Sequence, residues 1–378
     1  MSLVTKKKIG DLFKISKGKK SEEDPRSNIR YIQIDDLRND NNIKLARADL
    51  KNVTCTKFDV LIAWDGSNAG TIGYDLEGVI GSTLAKLVPK NGSVNSHYAG
   101  RFLQSKFRYL RDNCTGATIP HISKPSLVNL DIPLPLLEEQ KKIAEILDAA
   151  DSLRQKDKQL VEHYDRLSQS LFLDMFGDPV ANPKQWNISS LKEAGKVSTG
   201  NTPPRANLAN YGNHIEWIKT TNINTPNMYL TKAEECLSIE GESIGRCVDV
   251  NSLLVTCIAG SKKVIGNVAI ANRKVAFNQQ INSFIPKSGN ILFYYYLFVV
   301  GKAHVQTFST DSMKGMINKS KFESIDFIFP PIDKQNEFSE AVQLIQEQKE
   351  LAQQALLKSE DLFNSLLQRA FKGELTNC

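Results

Sequence analysis

DIPLPLLEEQKKIAEIL (Asp131–Leu147) and DFIFPPIDKQNEFSEAV (Asp326–Val342) follow one plan, 195 residues apart. Each runs from an acid through an apolar, proline-containing segment. An acid, a glutamine and a helical pattern follow. The correspondence extends outward. Ile122 matches Ile317, Lys124 matches Lys319, and Asp131 matches Asp326. Pro135 matches Pro330, Gln140 matches Gln335, and Phe176 matches Phe371, with no gap from Ile122 to Phe176. Upstream, LVPKNG (Leu87–Gly92) pairs with FIPKSG (Phe284–Gly289), and DVLIAWDGS (Asp59–Ser67) with SLLVTCIAGS (Ser252–Ser261). The chain is one unit of roughly 190 residues written twice, a period too long for a solenoid and suited to two domains.

Each unit has two parts. The first is mixed: short β-rich runs, such as RYIQI (Arg30–Ile34) and EWIKT (Glu216–Thr220), lie between turn residues. Helices are expected around Tyr98–Leu110 and Ile291–Val305. The second part is a long helix. Pro135 and Pro330 block helix before it, and Glu138 or Asp333 suits the positive end of its dipole. The expected division is 1–137, 138–176, 177–332 and 333–378: head, helix, head, helix. Apolar residues at steps of three, four or seven mark a coiled-coil stripe on each helix. Its interface residues are Ile143, Leu147, Leu160, Leu167 and Leu171 on the first helix. On the second they are Phe338, Val342, Ile345, Leu362 and Leu366. Leu153 and Leu351 belong to the same stripes. The expected fold is α+β: two similar globular domains joined by two long helices that form an antiparallel coiled coil about a pseudo-two-fold axis. In that arrangement the heads lie at opposite ends of the rod.

Net charge totals +6 and is uneven. The four segments carry +7, −3, +5 and −3 in order, so the heads are basic and the helices acidic. Basic bodies suit a polyanion. Six cysteines show no CxxC pair, which argues against a zinc site or disulfide framework and fits the cytoplasm. The apolar run ILFYYYLFVV (Ile291–Val300) is too short to span a bilayer and reads as a buried core helix. No apolar stretch of signal-peptide type follows the basic N-terminus.

Enzyme motifs are missing. There is no NPPY-like methyltransferase tetrapeptide, no GxGxxG opening a helix, and no HExxH or GxSxG. GKVSTGNT (Gly195–Thr202) has phosphate-loop glycine spacing, but Asn201 stands where the lysine belongs. The halves differ most where turns display side chains. KKSEEDPR (Lys19–Arg26) faces TPPRANLANYG (Thr202–Gly212), VIGSTLAKL faces VAFNQQINSF, and His121 faces Met316. Two readers on one scaffold would differ in this way.

The order of segments resembles the specificity subunit of Type I restriction–modification systems. The likeness rests on the two helix starts with their glutamines, on FGDP after the first helix, on STGNTP opening the second head, and on the closing FKGEL (Phe371–Leu375). It covers the whole chain. It implies that each head is a target-recognition domain for one half of a split DNA sequence. It also implies a coiled coil that sets the spacing and docks two modification subunits. Those subunits would use S-adenosylmethionine; restriction subunits would use ATP and Mg²⁺. This chain would itself be non-catalytic and bind no cofactor. GSTLAKL in the first head departs from the more familiar NQ form in the second.

Phosphate contacts hold a protein on DNA and base-edge contacts select the sequence. The basic candidates are Lys17, Lys19, Lys20, Arg26 and Lys124 in the first head. In the second they are Arg205, Lys262, Lys263 and Lys319. Candidate readers are Asn68, Thr118 and His121, then Thr202, Asn278, Gln279 and Lys314. Asn and Gln read adenine, and Lys reads guanine. The plainer roles are surface charge for the lysines and turn-capping for the amides. Tyr31 and Trp217 align within strands and read as core. The alternative function is a protein-binding scaffold or dimerisation protein without sequence-specific DNA recognition.

Overall fold

The computed structural model describes residues 5–116, 118–310 and 315–375. The chain divides into two compact units, Met1–Lys158 with Gln353–Cys378, and Gln159–Ala352. Each unit therefore holds one head and one end of both long helices, which span Leu137–Phe176 and Ile332–Lys372.

The heads share a topology. In the first, one antiparallel sheet has the order Phe13–Lys17, Leu84–Pro89, Val60–Ala63, Ile72–Gly73. Its counterpart in the second runs Gly195–Thr199, Ile281–Pro286, Leu253–Thr256, Val268–Ile270. The central strands VLIA and LLVT are buried at every position, which is why they lack alternation. A further sheet in each head contains one parallel pairing, Tyr31↔Val79 in the first and Trp217↔Ala276 in the second. Both rings are buried, as their place in strands implied. The glycine spacing of GKVSTGNT comes to nothing, since Gly195–Thr199 is a strand.

The repeated glutamine joins head to helix. Gln140 Oε1 accepts from Asn95 N at 2.9 Å, while Nε2 donates to the carbonyls of Ser93 (3.0 Å) and Pro135 (2.9 Å). Gln335 repeats this with Asn290 N (3.0 Å) and Pro330 O (2.8 Å). Both side chains are buried. Asn95 and Asn290 cap the head helices Ser96–Ser105 and Ile291–Val300, so each amide ties a cap to the start of a long helix. The far end is closed as well. The first helix stops at Gly177 (φ 79°), where Trp186 Nε1 donates to Phe176 O at 2.9 Å.

Helix ends pack on the heads through different chemistry. In the second unit Phe172, Phe176, Phe293 and Phe338 form an aromatic knot with centroids 5.1–5.8 Å apart. In the first, Phe371, the repeat partner of Phe176, packs on Tyr98 and Phe102. Beside it lies a polar clamp. Asp148 accepts from Tyr74 Oη (2.9 Å) and Arg101 Nε (2.8 Å) and pairs with His97 (2.9 Å). Arg101 also bonds Asp151 at 2.8 Å. Burial pushes the Asp148 carboxyl up, but hydrogen bonds from His97 and Tyr74, with the Arg101 charge, hold it below the usual range. The Asp148 hydrogen bond raises His97 against desolvation and Arg101; Asp75 adds to the rise.

The long helices pair antiparallel within each unit. Ile143, Ala144 and Leu147 share a core with Ala370, Leu366 and Leu367 in the first. Phe172 and Phe176 meet Phe338 in the second. The seam differs from the expected stripe. Ile143, Leu147, Phe338 and Val342 are buried, and Leu171, Ile345 and Leu366 are half-buried. Leu160 (41%), Leu167 (40%) and Leu362 (47%) are exposed, as are Leu153 and Leu351. The inward positions step by four and three without a break: 143, 147, 150, 154, 157, 161, 164, 168, 171 and 175. Each plus 195 gives the inward position of the second helix, from Phe338 to Ala370. The middle of this heptad is polar. Arg154 stacks on Phe363 at 4.6 Å, and Lys349 is buried against Asp165 at 2.6 Å. Polar residues therefore take part in the seam between its ends, while the leucines of the expected stripe face outward.

Gln140→Leu and Gln335→Leu should each cost about 1–3 kcal/mol, because buried caps and carbonyls lose their partners; denaturant unfolding measures this. His97, raised in the folded state, contributes stability that is full below its unfolded value near 6.5 and is lost as pH rises through its folded value. His97→Gln should therefore cost more stability at about pH 6 than at about pH 8.5. Equal losses at both would exclude charged pairing with Asp148.

Candidate nucleic-acid interface

In the first head, backbone hydrogen bonds gather three loops. Trp64 N and Asp65 N both donate to Thr83 O, at 2.7 and 3.3 Å. Ile122 N donates to Trp64 O at 2.9 Å, and Gly66 N to Pro120 O at 2.9 Å. Gly18 N reaches Leu84 O at 2.9 Å, which brings in the lysine loop. The second head repeats the scheme. Cys257 N and Ile258 N donate to Gln280 O at 2.9 and 3.1 Å, and Ile317 N donates to Cys257 O at 2.8 Å. Gly200 N reaches Ile281 O at 3.1 Å. Gly18 and Gly200 hold matching places, where a Cβ would collide with the carbonyls of Gly81 and Asn278. GSTLAKL and FNQQINSF are thus one turn, with Gly81, Ser82 and Thr83 standing where Asn278, Gln279 and Gln280 stand.

These loops bring several sequence candidates together. Lys17 Nζ pairs with Asp65 Oδ2 at 2.6 Å, and His121 Nδ1 meets Asp65 Oδ1 at 2.6 Å. Burial raises Asp65, but the hydrogen bonds from Lys17 and His121, with the Lys17 charge, outweigh it and hold the carboxyl low. Asn68 Oδ1, in the same turn, accepts from Arg38 at 2.8 Å. Thr118, three residues before His121, is exposed. Lys19 and Lys20 continue from Lys17 and are exposed, and among the described residues neither forms an ion pair. Arg26 is set apart from this group. It is exposed, bonds Asp24 at 3.4 Å, and follows the Lys44–Leu45 edge of the other sheet.

In the second head, Thr202 Oγ1 hydrogen-bonds exposed Gln279. Asn278 is not on display. It is 6% exposed, and its amide closes the turn on Gln280, accepting from N and donating to Oε1 at 3.1 Å each. The plainer turn-capping role describes it. Arg205 pairs with Glu235 at 2.7 Å and stacks over Tyr211 and Trp217 at 4.5 and 5.0 Å. Lys219 joins Glu235 from the other side at 2.6 Å. Lys262 and Lys263 lie exposed on the short turn Lys262–Val264. Lys314 lies outside the described residues. Lys124 and Lys319 open the matched short helices Lys124–Val128 and Lys319–Glu323; Lys319 reaches Glu323 at 3.4 Å.

Sequence reasoning passed over Asp65, Arg38 and Glu235. Asp65 carried a signal: in the repeat it is an acid facing an apolar residue. Among the described residues no group of His, Cys, Asp and Glu is arranged to hold a metal ion. No helix among them is long and apolar enough to cross a membrane.

Residues 1–163 and 183–358 match the family model of the Type I restriction modification DNA specificity domain. The Type I restriction enzyme MjaVIII specificity subunit of Methanocaldococcus jannaschii is 27% identical over 314 residues, covering 77% of this chain and 73% of that protein. Among solved structures, the S subunit of a Type I restriction–modification system from M. genitalium superposes with a TM-score of 0.59 at 16% identity, covering 98% of this chain and 97% of that one. A structure described as the basis of complex assembly and conformational transition of the Type I system gives 0.54 at 15% identity, with 98% of each chain covered.

Proposed function

The chain belongs to the Type I restriction–modification DNA specificity family, and from that premise we propose that its two loop clusters are the surfaces that read the halves of a split duplex site. It is the specificity component of such a system and not a catalytic one; it works with DNA and with other subunits. The observation that carries the reading is the repeated backbone ladder with unlike side chains. Trp64, Thr83 and Ile122 build it in one head, and Cys257, Gln280 and Ile317 in the other. A scaffold conserved within one chain, with display residues exchanged, suits two readers of different sequences.

Lys19, Lys20, Lys124, Lys263 and Lys319 are the phosphate contacts in this reading, since all are exposed. Asn68, Thr118 and His121 face bases in one half, and Thr202 and Gln279 in the other. The partners are two modification subunits, with restriction subunits beside them. S-adenosylmethionine, ATP and Mg²⁺ serve those partners. Docking falls to the helices, whose exposed leucines are unused by the seam. Ile146 and Leu153 lie exposed in the first unit, Leu160 and Leu167 in the second, at every seventh position. The paired helices set the spacing between half-sites; the first, 40 residues long, measures about 60 Å.

Two measurements test this. Lys19→Ala with Lys20→Ala should weaken duplex binding at all sequences and lower the slope of log affinity against log salt by up to about 2. Unchanged affinity and slope would remove both from the interface, and no salt-sensitive duplex binding at all would favour a protein scaffold. Leu160→Asp should leave the melting temperature nearly unchanged, because the side chain is exposed, yet reduce co-purification of modification subunits. Full retention would exclude this face from docking.

A further inference from the structure

The same rung of the ladder carries opposite chemistry in the two heads. Asp65 pairs with His121 across an antiparallel bridge in the first, and Ile258 pairs with Met316 in the second. The equivalence rests on the backbone bonds on either side, which are the same in both. Asp65 spends both oxygens locally, on His121 and on Lys17. A carboxylate only accepts, so the proton between Asp65 and His121 belongs to His121 Nδ1. The other ring nitrogen, Nε2, is thereby set as an acceptor in the neutral imidazole, on a side chain that is 46% exposed. Among the described residues it makes no hydrogen bond, and the Lys17 ammonium shares the Asp65 carboxylate with the ring.

We infer that His121 Nε2 is a base-reading group of the first head, positioned by Asp65, and that it accepts from an exocyclic amino group in the major groove, adenine N6 or cytosine N4. The inference rests on the proposed reading that this loop cluster meets DNA. It adds which atom selects and what it selects. Guanine and thymine present a carbonyl at that place and leave Nε2 without a donor. In the second head the rung offers only the Ile258 and Met316 side chains. The corresponding base there meets an apolar surface, which suits a thymine methyl group.

The test is a map of methylated adenines in cells expressing the full chain with its modification subunits. The unaltered chain should yield a two-part motif in which one base position of one half depends on His121. His121→Ala should relax that position by about five- to tenfold in discrimination, the value of one hydrogen bond, and leave the other half unchanged. His121→Gln, which keeps an acceptor, should retain the preference; Asp65→Asn should weaken it at that position alone. A loop-stapling role would instead lower methylation without changing the base preference. A second measurement avoids altered protein: duplexes in which that base lacks its amino group, purine for adenine or 2-pyrimidinone for cytosine, should bind the unaltered complex about five- to tenfold more weakly. An unchanged motif for His121→Ala, or equal binding of the amino-free duplex, overturns the assignment of His121 and leaves DNA reading intact. A motif-free pattern from the unaltered chain overturns the functional reading itself.

Discussion

Two buried amides hold the design together. Gln140 and Gln335 each accept from a capping asparagine of the head and donate to a proline carbonyl just ahead of a long helix. A side-chain amide is the group that can do both without charge. Glutamate would lack the donor, and leucine would leave buried backbone groups unpaired. The head helix, the proline segment and the long helix are thereby fixed to one another. Every later contact, from the aromatic knot to the helix seam, presupposes that alignment.

Much of this was legible in the sequence, for physical reasons. The duplicated glutamine and prolines marked the helix starts because backbone chemistry demands those residue types locally. The buried run Ile291–Val300 announced itself by composition, and six of its ten residues are fully enclosed. The seam was less legible. Leu153, Leu160 and Leu167 looked like interface by hydrophobicity, but hydrophobicity does not say which partner a face meets. The true heptad includes Arg154, half-buried and paired with Asp151 on its own helix, and Lys349, whose burial is tolerable because of a partner brought in by the fold. Lys349 finds Asp165, 184 positions away in sequence. The candidate site shows the same division. Display loops were visible as places where the repeats diverge. That Asp65 would take up Lys17, or that Asn278 would turn inward, depends on turns that only tertiary contacts define.

The two units use the duplicated plan unequally. The second packs its head on helix through rings, and the first adds the charged network around Asp148. The heads thus share a backbone while differing both in what they show to a ligand and in the chemistry that seats them on the helices.

The cations inside the heptad decide more than local packing. Arg154 and Lys349 occupy the same rung, 195 residues apart. Aligned head to head in register, as two strands of a parallel dimer would be, they would confront each other across the seam, and like charges set close together at a partly buried contact repel. Running in opposite directions, the two cations are kept apart: Arg154, already paired with Asp151 on its own helix, stacks on Phe363, and Lys349 reaches the Asp165 carboxylate. Polarity within the seam thus acts as a compass for the strands, admitting the orientation that one chain can satisfy by folding back on itself and penalising the one that two chains would form by lying side by side.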